Sequence, residues 1–142
     1  MTAVSLVRDA MVREPPTLDA SATAQEAGRL LVDPDARAVL VCENGRLIGV
    51  VTRKTLVREV VAAGLDPAAT EVGPISEPPV FTLDATMQLD TAFHQLEERD
   101  LERVPVVEDG MLVGVLSRAV VQRRLAEDEP PPIDSDPGSA LL

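Results

Sequence analysis

The chain contains two copies of one sequence pattern, 65 residues apart. Between Thr17 and Arg53, each residue and the residue 65 positions later are identical at 15 of 37 positions, with no gap. Two copies this similar are expected to fold alike and to pack against each other about an approximate twofold axis. Such a pair has two equivalent clefts between its halves, and this arrangement favours ligand sensing over catalysis.

Each copy carries the signals of a strand, a helix, two strands and a second helix. Ser21 and Thr86 follow the first strand and are predicted to cap the first helix. Two apolar runs separated by Glu-Asn-Gly or Glu-Asp-Gly then predict a hairpin with a type I′ turn. Thr52 and Ser117 end the hairpin and are predicted to cap the second helix. The sequence therefore predicts an α/β fold of two β-α-β-β-α repeats.

The same signals give limits for the elements and for the repeats. The first helices are predicted to end near Val32 and Arg99, and the second near Ala63, before Gly64, and near Ala126. Residues 1–126 are expected to form one module, with repeat one at about 7–63 and repeat two at about 72–126. Residues 127–142 are acidic and contain three consecutive prolines, which predicts a disordered tail.

Charge and composition argue against several partners. The chain has 24 acidic and 13 basic residues, a net charge of −11, and only Phe81 and Phe93 as aromatics. Such a field repels nucleic acid and anionic membrane, and stacking platforms for single strands are absent. No nucleic-acid or membrane partner is expected.

Cys42 and the N-terminal residues indicate a reducing compartment. Cys42 is the only cysteine and lies in a Val-Leu-Val-Cys run, which predicts a buried, inert thiol and no metal site. The first ten residues lack the apolar segment of a signal peptide. A cytoplasmic location is expected.

Several motifs resemble the CBS (cystathionine beta-synthase) domain, here as a tandem pair or Bateman module. They are Asp9-Ala10-Met11 before Pro-Pro-Thr-Leu, Arg103-Val104-Pro105-Val106-Val107, and the two turns Gly49-Val50-Val51-Thr52 and Gly114-Val115-Leu116-Ser117. The resemblance covers residues 7 to 125. It implies a regulatory module that binds AMP, ADP, ATP or S-adenosylmethionine between its repeats, requires no cofactor, forms a homodimer and regulates a partner protein that the sequence does not identify.

The resemblance also implies where a ligand would bind. Nucleotide-binding members read Gly-hydrophobic-hydrophobic-Thr/Ser-x-x-Asp, and the hydroxyl and the carboxylate hold the ligand. Here Thr55 and Val120 stand at the two Asp positions, so the carboxylate contact to ribose is missing from both copies. The loss of such a contact costs roughly 1.5–3 kcal/mol, or about ten- to a hundredfold in affinity. The candidate ligand-binding residues are Gly49, Thr52, Arg53, Thr55, Arg103, Gly114, Ser117 and Arg118.

The cations in this set have two interpretations. Arg103 matches a position that contacts phosphate in nucleotide-binding members, but a surface ion pair with Glu102 or Asp100 explains it equally well. Arg53 and Arg118, near the helix N-termini, are interpreted first as ordinary solvated charges.

Catalysis is not expected, because His94 lacks a ligand or acid partner at a useful spacing and no nucleophile motif is present. Two hypotheses remain. One is an adenosine-ligand sensor that modulates a partner protein. The other is a ligand-free interaction or dimerisation module whose nucleotide sites have decayed.

Overall fold

The computed structural model describes residues 5–13 and 15–128. Repeat one contains β1 (Thr17–Asp19), α2 (Ala24–Leu30), β2 (Val39–Glu43), β3 (Arg46–Val51) and α3 (Arg53–Leu56). Repeat two contains β4 (Leu83–Asp84), α5 (Leu89–Glu98), β5 (Arg103–Glu108), β6 (Met111–Ser117) and α6 (Arg118–Asp128). The predicted order of elements in each repeat is confirmed. Short helices precede the repeats, α1 (Val7–Ala10) and α4 (Val72–Ile75), and the sequence reading did not predict them.

The six strands form one sheet in the order β1-β2-β3-β6-β5-β4. In each repeat the first strand runs parallel to the second, and the second and third form an antiparallel hairpin. The two hairpins meet where Arg46 of β3 pairs with Met111 of β6. Each repeat buries its own apolar cluster. The cluster of repeat one contains Val39 and Val41, and that of repeat two contains the matching Val104 and Val106. This arrangement is the predicted pseudo-twofold pair.

The hairpin turns have the predicted geometry. Asn44 and Gly45 have φ of 53° and 81°, and Asp109 and Gly110 have the same two values. A type I′ turn requires positive φ at both central residues, so a short polar residue followed by glycine fits it. Both hairpins also carry a register irregularity at the same place, after Val41 and after Val106. The Asn-Gly and Asp-Gly sequences therefore predict the geometry of these turns correctly.

The predicted helix caps at Ser21 and Thr86 are wrong. Ser21 donates from its amide and its hydroxyl to Asp19, at 3.0 and 2.6 Å, and Thr86 makes the same pair of contacts with Asp84. Because Asp two residues earlier captures both groups, each forms a turn after the strand. The cap of α2 is Thr23, whose hydroxyl accepts from the amide of Glu26 at 3.2 Å.

The helix ends are close to their predicted positions. The helix α3 continues as a π-helix over Val57–Val61, and Gly64, with φ of 71°, ends the segment as predicted. The helix α2 stops at Leu30, two residues before the predicted end, and α6 continues to Asp128. The rest of the predicted disordered tail, residues 129–142, lies outside the described residues.

Each short helix packs on the opposite repeat. Val7 of α1 is fully buried in the apolar cluster of repeat two, and Val72 of α4 is fully buried in that of repeat one. Burying one valine completely is worth about 1.5–3 kcal/mol. The sequence limits of repeat one begin at residue 7, but this residue contributes to the core of repeat two. The repeats therefore exchange their first segments.

Backbone hydrogen bonds also join each of the two short segments to the opposite repeat. The amide of Val7 donates to the carbonyl of Met87 at 2.9 Å, and the amide of Val72 donates to that of Ala22 at 2.8 Å. Farther along, Val12 pairs with Val115 of β6 through two hydrogen bonds, and Glu77 pairs in the same way with Val50 of β3. Every residue in one set lies 65 positions from its equivalent in the other set, so the pseudo-twofold relation includes the linkers.

Gly114 tests this contact between linker and strand. A Cβ at Gly114 would lie 2.7 Å from the carbonyl oxygen of Val12, which is backbone held by the pairing with Val115. We expect Gly114→Ala to lower the free energy of unfolding by about 1–3 kcal/mol. The control is Gly28→Ala in α2, where a Cβ would meet only Leu56 at 3.9 Å. It should raise stability by about 0.5–1 kcal/mol. Urea denaturation measures both, and equal stabilities would contradict this account of the linker contact.

Candidate functional site

The first group of candidate residues surrounds the junction between β3 and α3. The Thr52 amide donates to the Thr55 hydroxyl at 3.0 Å, and the Thr55 amide donates to the Thr52 hydroxyl at 3.2 Å. The two hydroxyl oxygens lie 3.0 Å apart. Thr52 is the predicted cap, and it forms a reciprocal capping box with Thr55. Thr55 is fully buried, so its hydroxyl serves the helix start.

Arg53 and Arg118 both hold the loop that follows the first helix of their own repeat. Arg53 donates to the carbonyl of Leu31 at 2.5 Å and to that of Asp33 at 2.8 Å. Arg118 donates to the carboxylate of Asp100 at 3.4 Å and also contacts the carboxylate of Glu102. Each cation is the first residue of its helix and therefore has structural partners next to the helix N-terminus. A ligand-binding role for either one stays a prediction.

Gly49 and Gly114 are the places where the linkers cross the third strands. A Cβ at Gly49 would lie 2.6 Å from the Cβ of Ser76, just as one at Gly114 would press on Val12. Both glycines are buried. They allow a close approach of two backbones, and a ligand contact for either glycine stays a prediction.

Arg103 and Ser117 are the candidate residues that the structure brings side by side. They are directly opposite each other in the antiparallel pair of β5 and β6. Opposite residues of such a pair share one face of the sheet, with Cβ atoms about 4.5–5.5 Å apart. Arg103 is exposed, and within the described ranges no hydrogen bond or ion pair engages its guanidinium. The neighbouring Glu102, the alternative partner considered for Arg103, contacts Arg118 instead. A free cation and a hydroxyl therefore stand together at the start of α6.

A cleft of about 650 Å³ opens elsewhere between the repeats, and we call it the Arg13 cleft. None of the eight candidate residues lines it. Repeat one contributes β1, part of β2 and the hairpin turn, and repeat two contributes the start of β6. Its lining residues are Arg13, Pro15, Thr17, Leu18, Asp19, Cys42, Gly45, Leu112 and Val113. The sequence reading missed this site, although a comparison of the two copies at Arg13 and Cys42 could have indicated it.

The ionisable groups of the Arg13 cleft have shifted pKa values. The hydroxyl and the amide of Ser21 donate to Asp19 and lower its carboxyl pKa, so this carboxylate is charged at neutral pH. Burial raises the pKa of the Cys42 thiol, and the charge of Asp19 raises it further. Cys42 is half-buried, whereas the sequence predicted a buried residue, and its thiol stays protonated as an inert group does. The cleft thus holds one cation, one anion and one neutral thiol.

Residues 7–62 and residues 72–127 each match the CBS domain family. The chain therefore belongs to this family and is a tandem CBS regulatory module. Modules of this kind are generally regulatory and non-catalytic.

The most similar relatives include two bacterial proteins. Hypoxic response protein 1 of Mycobacterium tuberculosis (strain CDC 1551 / Oshkosh) is 30% identical over 106 residues, which are 74% of this chain and 74% of that protein. The CBS domain-containing protein YhcV of Bacillus subtilis (strain 168) is 27% identical over 114 residues, or 80% and 81% of the two chains.

Solved structures share the fold. The crystal structure of Hypoxic Response Protein I with two coordinated zinc ions has a TM-score of 0.70 at 27% identity, covering 84% of this chain and 98% of that chain. The crystal structure of CBSX2 in complex with AMP has a TM-score of 0.67 at 25% identity, covering 86% and 96%. These likenesses agree with the α/β pair described above.

The zinc of the first of these structures does not fit the residues described for this chain. Zinc sites need several His, Cys or carboxylate ligands close together, and residues 5–13 and 15–128 hold no group of three or more such side chains placed to bind a metal. His94 is exposed on α5 of repeat two, whereas Cys42 lies on β2 of repeat one.

Within residues 5–13 and 15–128, no helix is long and apolar enough to cross a membrane.

The capping box at α3 gives a testable prediction. Thr55→Val keeps the shape of the side chain but leaves the Thr52 amide without its acceptor at a fully buried position. We expect the free energy of unfolding to fall by about 1–3 kcal/mol. Thr55→Ser retains the hydroxyl and loses one buried methyl group, at a cost of about 0.5–1.5 kcal/mol. Guanidinium denaturation measures the stability of both variants and tests whether the Thr55 hydroxyl stabilises the helix start. A Thr55→Val protein as stable as wild type would rule out this structural role.

Proposed function

We propose that this chain is a sensor that binds an adenosine-containing ligand between its repeats and thereby changes its affinity for a partner protein. The ligand class is AMP, ADP, ATP or S-adenosylmethionine. The observation that carries the proposal is the adjacent pair Arg103 and Ser117, a free guanidinium beside a hydroxyl at the N-terminus of an eleven-residue helix. A guanidinium and a helix N-terminus both favour a phosphate group. The AMP complex of the similar protein CBSX2 supports the same ligand class.

The linkers supply a route from ligand to partner. The segments at Val12 and Glu77 are each attached to the opposite repeat by two backbone hydrogen bonds, from 2.7 to 3.0 Å long. A ligand that contacts both repeats would favour one relative placement of them, and the linkers would move with it. If the ligand binds one placement of the repeats more tightly than another, its binding shifts the population toward that placement, and a partner protein can respond to the shift.

The absent carboxylates set an expectation for the ribose. Thr55 is buried and engaged with Thr52, and Val120 offers no polar group, so neither position provides a charged acceptor for the sugar. We therefore expect recognition to depend on phosphate more than on ribose, with affinities in the micromolar range or weaker.

Titration calorimetry with AMP and adenosine tests the sensor function. In the wild-type protein AMP should bind more tightly than adenosine. Arg103→Ala should weaken AMP by about tenfold, the loss of one charge-assisted contact, and leave adenosine unchanged. Arg123→Ala, which removes an exposed cation from α6, is the matched control and should bind AMP like wild type. If no adenosine compound binds wild type at millimolar concentration, the sensor function is wrong.

A second candidate function is an interaction module without a ligand. A distinctive apolar face favours it. Four side chains on and beside α2 and the π-helix of repeat one are exposed, and their equivalents in repeat two are three polar residues and one alanine. The exposed residues are Leu30, Val32, Val57 and Val61, and the equivalents are Gln95, Glu97, Gln122 and Ala126. Val57 and Val61 are four residues apart and so lie on one side of the same helical segment, and exposed apolar patches commonly mark a protein contact.

A homodimer is expected from the sequence, and this assembly is compatible with both candidate functions. We propose that two copies meet through this repeat-one apolar face in an isologous contact. A cytoplasmic location and the lack of nucleic-acid or membrane partners stay predictions.

Val61→Asp tests the dimer. Val61 is 71% exposed, so the substitution should leave the fold intact while it places a charge in the contact. We expect light scattering at tens of micromolar to show a dimer for wild type and a monomer for the variant. Val80→Asp, at a position 87% exposed in the linker before β4, is the control and should stay dimeric. A monomeric wild-type protein would contradict the proposed assembly.

A further inference from the structure

A second cleft, of about 360 Å³, lies against repeat one, and we call it the Glu43 pocket. The end of β1, the β2–β3 hairpin and the segment around α4 form its walls. Its lining includes the carboxylates of Asp19, Glu43 and Glu71, together with Ile48, Gly73 and Pro74. Among the described residues, no arginine, lysine or histidine and none of the eight candidate ligand-binding residues lines it. The pocket is therefore acidic, and it is a different place from the site at Arg103.

The three carboxylates are available to a cation. Ser21 donates to Oδ2 of Asp19 and lowers the pKa of this carboxyl, so Asp19 is charged at neutral pH and its Oδ1 can accept a further hydrogen bond. Within residues 5–13 and 15–128, the carboxylates of Glu43 and Glu71 have no hydrogen bond or ion pair. Arg46 is opposite Glu43 in the hairpin, but its guanidinium lies against the turn of the other hairpin.

Repeat two shows which group lies beside the equivalent glutamate. Glu108 corresponds to Glu43, and Nη1 of Arg8 lies 3.9 Å from Oε1 of Glu108. The equivalent of Arg8 in repeat one is Gly73. The backbone is the same at both places, since each amide donates to the carbonyl of the equivalent alanine, at 3.0 Å for Arg8 and 2.9 Å for Gly73. A guanidinium is therefore present at this glutamate in repeat two and missing in repeat one.

Gly73 leaves the pocket open. A Cβ at this position would lie 3.0 Å from the Cβ of Ala20 and 3.1 Å from its carbonyl oxygen. This close approach of α4 to the turn after β1 leaves little room for a side chain at Gly73. Since no cation lines the pocket within the described ranges, a cation that fills it has to come from another molecule.

The pocket favours an arginine side chain over other cations. A planar guanidinium has five N–H donors and can contact two carboxylates at once, whereas an ammonium is a compact point charge. Ile48, which is 40% exposed, and Pro74 provide apolar surface for the methylene groups of an arginine. Residues 5–13 and 15–128 hold no group of three or more side chains placed to bind a metal ion. The net charge of −11 would also attract a basic protein surface.

We propose that the Glu43 pocket binds an arginine side chain of a partner protein, with the guanidinium among the three carboxylates and the methylene groups along Ile48 and Pro74. The arginine takes the place in repeat one that Arg8 has in repeat two. This inference does not depend on the adenosine site, and it gives the chemistry of a partner contact that both candidate functions require.

Nuclear magnetic resonance of the isotopically labelled 142-residue chain tests the pocket. The probe is the tripeptide Gly-Arg-Gly with acetylated and amidated ends. The matched control is the same peptide with citrulline, which has nearly the shape of arginine but no charge. The arginine peptide should shift the backbone amide signals of Asp19, Glu43 and Gly73 and saturate at millimolar concentration, because exposed ion pairs are individually weak. The citrulline peptide should shift none of these signals.

Two equivalent substitutions separate the Glu43 pocket from the rest of the acidic surface. Glu43→Gln should weaken binding of the arginine peptide about threefold or more, since it removes one charged acceptor. At a concentration that half-saturates wild type, the shift should therefore fall to about half or less. Glu108→Gln, the same change at the equivalent place in repeat two, should bind the peptide like wild type. Glu43 is exposed and Glu108 is partly exposed, so both variants are expected to fold, and their remaining amide signals check this.

Shifts that require arginine, that Glu43→Gln reduces and that Glu108→Gln keeps support the proposal. If the citrulline peptide shifts the same signals equally, or if Glu43→Gln binds like wild type, the Glu43 pocket is not an arginine site. Agmatine carries the same guanidinium without a peptide backbone. If agmatine binds tenfold more tightly than the arginine peptide, the occupant is a small amine and the partner protein is wrong. None of these results bears on the calorimetric test of the sensor function.

Discussion

The exchange of the segments that precede the repeats is the constraint on which the rest of the structure depends. Val7 fills the core of repeat two and Val72 fills that of repeat one, each with no exposed surface. Neither repeat has a complete core without a segment from outside its own β-α-β-β-α unit. A unit of about 55 residues buries little surface alone, so each gains stability from the other. The two repeats are therefore expected to unfold together.

The same exchange carries the linkers across the third strands and creates the clefts. Val12 pairs with Val115, and Glu77 pairs with Val50, so each linker lies between the two repeats. Gly49 and Gly114 are required at these crossings because a Cβ would overlap the linker. A motif that the family associates with ligands thus has a structural purpose here as well. The same holds for Thr52 and Thr55, which close on each other at the start of α3.

The backbone is nearly symmetric about the pseudo-twofold axis, whereas the side chains are not. Arg13 and Pro78 occupy equivalent backbone positions but give one cleft a cation and the other none. Val61 and Ala126 likewise give repeat one a larger exposed apolar side chain than repeat two. Duplication supplies two equivalent frameworks, and divergence at a few exposed positions can make one a ligand site or a contact surface.

The sequence by itself determined the features that depend on neighbouring residues. The repeat, the order of elements, the I′ turns at Asn44-Gly45 and Asp109-Gly110 and the helix end at Gly64 all follow from local conformational preferences. Local patterns also indicated Thr52 as a cap. They were wrong for Ser21 because two local hydrogen-bond partners competed, and Asp19 captured the hydroxyl before the helix began.

Only the tertiary structure decided which residues meet across the chain. The sequence motif placed Thr55 at a ligand position, and burial against the cap showed that its hydroxyl is occupied. The sequence indicated Glu102 as a possible ion-pair partner of Arg103, but in the structure the Glu102 carboxylate pairs with Arg118. The sequence did not show that Arg13 lines a cleft, because the cleft exists only where the fold brings β1, β2 and β6 together. Such contacts join residues far apart in sequence, so they depend on how the linkers cross and not on any local preference.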